Sequence, residues 1–237
     1  MPVVTLLQTP PEEPLKSQLL QWVVDDFSQL SSTALPPSNP LYNLYQYGLG
    51  FEVHLYLEAL GGSRLPVELL LACADDDPQQ LHGFALCLPI DGEPSACAVA
   101  WMAVRPDLRR RGIARSLLEH LRQRYNRIEL ACGQGKVPCF EALGFAVVGV
   151  RDTQVLMASG AAPGDGVLLM LDVAPVWRTV EVQQIHSYLL KQHGRKAMVE
   201  AEKKRDRHFD ELSRHARAFV LERATQVQTR EIRLVTG

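Results

Sequence analysis

Apolar and polar residues change their rhythm about a quarter of the way along this chain. Val67 to Cys73, Leu81 to Leu88 and Ala96 to Val104 are short apolar runs of strand type, and the two segments between them are dense in turn formers. The pattern predicts an antiparallel meander of three strands. Asp75-Asp76-Asp77 then forms a hairpin turn, since it lacks the ligand spacing of a calcium loop. Ahead of the meander, Val3 to Leu7 predicts a strand that Pro10-Pro11 ends. Leu15 to Leu30 carries apolar residues near helical spacing, and Leu41 to Leu60 predicts a second, aromatic-rich helix interrupted by Gly48 and Gly50.

After the meander, Arg105-Pro106 breaks the third strand and Gly112 to Tyr125 has the pattern of a helix. Arg127 to Ala131 reads as a strand, Val137 to Leu143 as a short helix with Gly144 as its C-cap, and Phe145 to Val150, Gln154 to Ala158 and Val167 to Val173 as three more strands. Pro175 marks a boundary, giving segments 1–175 and 176–237. In the second, Thr179 to Gln192 and Lys196 to Ala224 predict helices joined at Gly194. The longer one repeats Met198, Ala201, Arg205, Phe209, Leu212, Ala216, Phe219 and Val220 at roughly heptad spacing. That stripe is narrow and flanked by charge, which suits docking onto another surface.

Charge sharpens this division. Lys and Arg outnumber Asp and Glu 13 to 8 after residue 175 and are outnumbered 12 to 19 before it, so an acidic body carries a basic tail. Signs are mixed around Lys203-Lys204-Arg205-Asp206-Arg207, which describes a solvated helix face and argues against a nucleic-acid partner. The tail is expected to close a homodimer, to fold back over a cleft of the body, or to hold a separate protein. The five cysteines are odd in number and form no Cys-x-x-Cys pair, so neither a zinc site nor a disulfide framework is expected, and no metal is assigned. No signal-peptide pattern or membrane-length apolar run occurs. The cytoplasm is the expected compartment, with no membrane partner.

The segment that carries chemistry is Val99 to Leu121. An apolar strand runs into a basic, glycine-containing turn and then into an amphipathic helix whose buried face is Leu117, Leu118 and Leu121. The first turn of a helix has N–H groups without intrahelical partners and the positive end of the macrodipole, so it binds anions. Gly112 and Ala114 are small enough for a diphosphate to approach the backbone. Arg109, Arg110, Arg111 and Arg115 add positive field. No Gly-Lys-Ser/Thr follows and the triple-glycine dinucleotide fingerprint is missing, so neither a Walker loop nor a Rossmann loop fits.

Arg109-Arg110-Arg111-Gly112-Ile113-Ala114 resembles the coenzyme A loop of the GNAT family of N-acetyltransferases, Gln/Arg-x-x-Gly-x-Gly/Ala, and Val104 to Leu108 matches the usual approach to it. Downstream, Cys139-Phe140-Glu141-Ala142-Leu143-Gly144-Phe145 resembles the family's later motif, Phe-Tyr-Glu-Lys-Leu-Gly-Phe. The resemblance spans roughly Val3 to Val173, with the first third alike in general layout only. It implies an α+β fold in α/β/α layers around a mixed, largely antiparallel sheet. The sheet is splayed between its fourth and fifth strands, and a helical C-terminal extension follows. It also implies acetyl-coenzyme A as acyl donor, its pantetheine lying in the gap. Backbone groups of Met102, Ala103 and Val104 would meet the pantetheine, and residues Arg109, Arg110, Arg111, Gly112, Ile113, Ala114 and Arg115 would take the diphosphate.

The implied activity is acetyl transfer to a primary amine of a small molecule or a protein. The acids and bases are less evident. Many relatives use a tyrosine of the later motif as proton donor, and here its position is Phe140; the family's preceding asparagine falls on Gly133. Glu93 and Cys139 are candidates for acid–base chemistry, against plainer readings as a solvated turn residue (with Asp91) and a small buried hydrophobe. His54 and His82 read as structural residues able to border an acceptor pocket, and Tyr42, Tyr45, Tyr47 and Tyr56 as packing. The alternative to an enzyme is a non-catalytic coenzyme A-binding module acting through its C-terminal helices.

Overall fold

The structure is a computed structural model describing residues 2–33, 35–224 and 227–236. Seven strands make the main sheet, in the order β1-β2-β3-β4-β5-β7-β6. They are β1 (Val3–Leu7), β2 (Glu68–Cys73), β3 (Leu81–Ile90), β4 (Glu93–Val104), β5 (Arg127–Cys132), β6 (Ala146–Arg151) and β7 (Gln154–Gly160). Every neighbouring pair is antiparallel except β4 and β5, which run parallel. The helices are α1 (Glu13–Asp25), α2 (Phe27–Leu30), α3 (Tyr42–Glu58), α4 (Ile113–Arg122), α5 (Val137–Glu141), α6 (Val180–His193) and α7 (Arg195–Arg223).

Strand alternation sends side chains to two separate cores. Leu69, Leu71, Phe84 and Leu86 face the layer of α1, α3 and α6, whereas Leu70, Ala72, Ala85 and Cys87 face α4 and α5. The expected α/β/α layering follows. In β4 the alternation slips. Cys87 pairs with Val99 and Leu86 with Trp101, leaving Ala100 as an extra residue. Ala98 therefore shares its face with Trp101 and Ala103, and Val99 shares the other with Met102 and Val104. One bulge re-aims the second half of the strand.

Three expectations are corrected. Gly48 and Gly50 do not interrupt α3. A Cβ at Gly48 would stand 2.6 Å from the Trp177 ring and one at Gly50 3.0 Å from Val24 Cγ2, so both glycines let neighbours pack closely on a continuous helix. The segment Leu15 to Leu30 is two helices, divided at Asp26. The strand expected at Val167 to Val173 stands outside the main sheet. As β8 (Leu168–Leu171) it pairs in parallel with β9 (Ile232–Val235), a strand unmarked in the pattern reading.

The segment after residue 175 folds against the rest of the chain. Val182, Leu189, Met198 and Ala201 join the α1/α3 core, and Val220 joins the α4 core, so α7 passes from one layer to the other. Its stripe is buried near both ends and half-exposed at Phe209 and Leu212. Gln228 N–H then donates to Val148 O of the sheet's edge strand β6 at 2.7 Å, which covers part of that edge.

Candidate functional site

Pairing between β4 and β5 begins at Ala96 with Arg127 and stops at Val99 with Leu130. The strands part where the bulge lies. From Trp101 to Val104, β4 is paired with β3 on one edge only, leaving backbone groups on the β5 side without a ladder. Unpaired strand edges of this kind accept an extended, amide-bearing ligand as an added strand.

The gap opens into a cavity of about 350 Å³. Its walls are β4 from Ala98 to Met102, β5 from Glu129 to Cys132, and the α3 face bearing Tyr45, Gly48, Leu49 and Glu52. Residues 29–33, Phe140, Arg151, Leu168, Met170 and Trp177 complete it. Residues 26–33 bridge both sides of the splayed sheet. Asp26 accepts from Arg109 Nη2 at 2.6 Å, Gln29 O accepts from Lys136 Nζ at 2.9 Å, and Ser32 O accepts from the Thr153 hydroxyl.

The arginine turn leaves β4 through a 3₁₀ turn at Pro106–Leu108. Arg110 (φ 64°) and Gly112 (φ 86°) are both left-handed, which winds the backbone tightly into α4; only glycine adopts the second without cost. Ile113 is buried, and its Cγ2 lies 2.9 Å from where a Cβ on Gly83 would be, so α4 is seated directly on β3. The first amide bonded to an α4-end carbonyl is Ser116 N–H, on Gly112 O at 2.9 Å. Among the described residues, Gly112 to Arg115 therefore have no backbone partner for their N–H groups. Arg110, Arg111, Gly112 and Arg115 are exposed, and nothing stands within 4 Å of a Cβ built on Gly112. Arg109 is less free, since its Nε also donates to Val104 O at 3.2 Å.

An open helix start with unpartnered amides, beside a gap between two parallel strands, lies in the later half of a family match. Residues 68–147 match the family described as the acetyltransferase (GNAT) domain. Residues 68–147 of this chain are thus similar to a GNAT domain. The N-acetyltransferase PaiA of Thermoplasma acidophilum, solved with coenzyme A, has 11% identity over 67% of this chain and 99% of that one, with a TM-score of 0.50. A GCN5-related N-acetyltransferase from Kribbella flavida has 16% identity over 67% and 98%, with a TM-score of 0.46. Nourseothricin acetyltransferase has 19% identity over 40% of this chain and 66% of that one, with a TM-score of 0.34. Likeness at such identities is one of fold. Comparison with curated proteins found no match.

The acid–base candidates sit as follows. Glu93 is an ion-pair residue, its Oε2 accepting from Arg230 at 2.9 Å and its Oε1 from Gly164 N–H at 3.1 Å. It also opens β4, at the end remote from the arginine turn. Cys139, expected as a buried hydrophobe, is exposed on the outer side of α5. Phe140 lines the cavity and packs edge-on to Phe145, with no proton to give. His54 and His82 line other surfaces: His54 lies 4.0 Å from Glu58, and His82 lies 3.1 Å from Gln80. Asp77 caps the expected hairpin turn through Gln79 N–H.

Sequence reasoning missed Glu52. It lies on α3 three residues after Leu49 and four after Gly48, on the stripe that faces the cavity. No hydrogen bond or ion pair holds it among the described residues, and burial pushes its carboxyl up to about 7. Glu129 also lines the cavity but titrates oppositely. Burial works against its charge, yet hydrogen bonds from Arg230 and Arg127 outweigh burial and hold its carboxyl below the usual range. A lone acid on an otherwise apolar helix stripe was the signal available in the sequence.

A folded-state pKa raised from the ordinary 4.5 to about 7 means that Glu52 stabilises the fold only while protonated. That contribution is complete below pH 4.5 and is lost as pH rises through about 7. Glu52→Gln should therefore be more stable than the wild type at pH 8, by at most about 3 kcal/mol, and equally stable at pH 4.5. Thermal melts of both proteins across that range check it.

Proposed function

We propose that this chain transfers an acyl group, acetyl in the first instance, from acyl-coenzyme A to a primary amine of a small molecule or a protein. The observation that carries this reading is the set of unpartnered amides at the start of α4 (Gly112 to Arg115), beside the strand gap that leads into the cavity. On this reading, the diphosphate lies against residues 109–115, with Arg110, Arg111 and Arg115 neutralising charge. Pantetheine extends along Met102, Ala103 and Val104, and the thioester reaches the bulge at Ala100. Unpaired N–H groups of β4 near that bulge are suited to the oxyanion of the tetrahedral intermediate. The amine enters on the α3 side of the cavity.

Loss of the family's tyrosine at Phe140 removes one proton donor. A thiolate is a good leaving group, and general acid catalysis is worth about 10²–10⁴-fold, so turnover is slowed rather than abolished. Segment 176–237 serves this site rather than a distant one, because Trp177 forms part of the cavity wall.

The test is titration with acetyl-coenzyme A, followed by thioester loss with a panel of aminosugars, polyamines and lysine peptides. Wild type should bind and turn over, and Arg111→Glu should bind about tenfold more weakly through a reversed, exposed phosphate contact. Unchanged binding in Arg111→Glu overturns the placement of the coenzyme. Tight binding without turnover on any amine favours the non-catalytic module.

A further inference from the structure

Resting on the acyl-transfer reading, we propose that Glu52 is the general base, taking a proton from the ammonium group of the acceptor inside the cavity between α3 and β4. Its position follows from helical spacing. One turn before it, Gly48 lies under the Trp177 ring, and one turn after it, Tyr56 packs on Trp101 with ring centroids 5.0 Å apart. Glu52 thus sits between two aromatic contacts, facing the bulged stretch of β4.

Other polar groups around it are occupied or have the wrong charge. Tyr45 Oη accepts from Arg205 at 2.6 Å, and Tyr56 Oη accepts from Leu171 N–H at 2.9 Å. Glu129 is neutralised by Arg230 and Arg127. Arg151 and Lys136, on the β5 and β6 side, are cations and repel an ammonium group; Asp152 is an exposed turn residue. Two cavity carboxylates, Glu52 and Asp152, have no hydrogen-bond or ion-pair partner among the described residues, and Glu52 is the less exposed of the two. Burial brings its affinity for protons close to neutral, which suits a group that must accept one and release it each cycle.

Proton balance is straightforward. Glu52 carboxylate takes one proton from the ammonium group, leaving a neutral amine. Its nitrogen lone pair forms the C–N bond to the thioester carbon as the C–S bond breaks, and the second nitrogen proton goes to the departing thiolate through solvent. The amide and coenzyme A leave, and Glu52 returns its proton to water. An apolar, aromatic wall around one carboxylate favours an acceptor whose amine is carried on an apolar or ring-shaped body.

The test compares the full-length wild type, Glu52→Gln and Glu52→Asp for kcat, KM and their pH dependence with the amine panel. Acetyl-coenzyme A affinity and melting temperature serve as measures of the fold. Glu52→Gln should bind the donor as the wild type does, yet lose about 10²-fold in kcat. Wild-type rates should rise with pH through about 7, and that limb should vanish in Glu52→Gln and partly return in Glu52→Asp. Wild-type kcat and pH limb in Glu52→Gln overturn the assignment while acyl transfer stands, and so does a loss confined to KM. Donor binding with no turnover by the wild type overturns both readings together.

Discussion

Replacing Arg230 by methionine should destabilise the protein by about 3–5 kcal/mol, the cost of breaking a buried ion pair from one side. Arg230 is nearly sealed, with a side-chain exposure of 6%. Its guanidinium donates twice to Glu129, at 2.7 and 3.0 Å, once to Glu93 at 2.9 Å and once to Gly166 O at 2.7 Å. Methionine fills much of the space but strands two enclosed carboxylates. Glu129 would keep Arg127, and Glu93 would keep only the Gly164 amide. Glu129 titrates below its usual range in the folded protein, so its contribution is present above the ordinary carboxyl pKa and lost as pH falls through the lowered one. The penalty of Arg230→Met should accordingly be largest at neutral pH and shrink in acid. Urea unfolding at pH 7 and pH 4 measures the difference. Adding Glu129→Gln should recover part of the loss, which a simple packing defect would not allow.

The second large effect is expected at the turn before α4. Gly112→Asp should weaken acetyl-coenzyme A binding by about 10²-fold or more. Gly112 has φ 86°, where a side chain costs about 1–2 kcal/mol, although aspartate tolerates such a backbone better than most residues. The larger penalty is electrostatic. A carboxylate there satisfies the helix N-terminus itself and repels a diphosphate from the same amides. Since a Cβ at Gly112 meets nothing within 4 Å, the variant should remain folded. Titration at two salt concentrations checks this, because the repulsive part should weaken with added salt. Binding equal to the wild type would place the coenzyme elsewhere.

The parts of this fold that were legible beforehand are those governed by local chemistry. Strands β2 to β4 are apolar runs set between turns rich in Asp, Gly and Pro, and α4 follows a basic, glycine-containing turn. What escaped the pattern depends on contacts between distant residues. Gly48 and Gly50 look like helix breakers until Trp177 and Val24 are seen to need their space. β9 is four residues long and gains its order from β8, far earlier in the chain. Arg230 looks like any tail arginine, and its partners Glu129 and Glu93 lie 101 and 137 residues away. Glu52 was hidden for a related reason. Helical spacing places it on a stripe, but only the assembled layers decide that the stripe faces a cavity rather than solvent. Thus the residues proposed for the coenzyme were readable as a motif, while those that would treat the acceptor had to await the fold.

The exposure of Cys139 has a practical use. Cys73, Cys87, Cys97 and Cys132 are buried, and burial raises the pKa of each thiol. A maleimide dye should therefore attach at one position in the native protein, next to the cavity-lining Phe140. Fluorescence from that single label could follow ligand arrival in real time, with no engineered cysteine required.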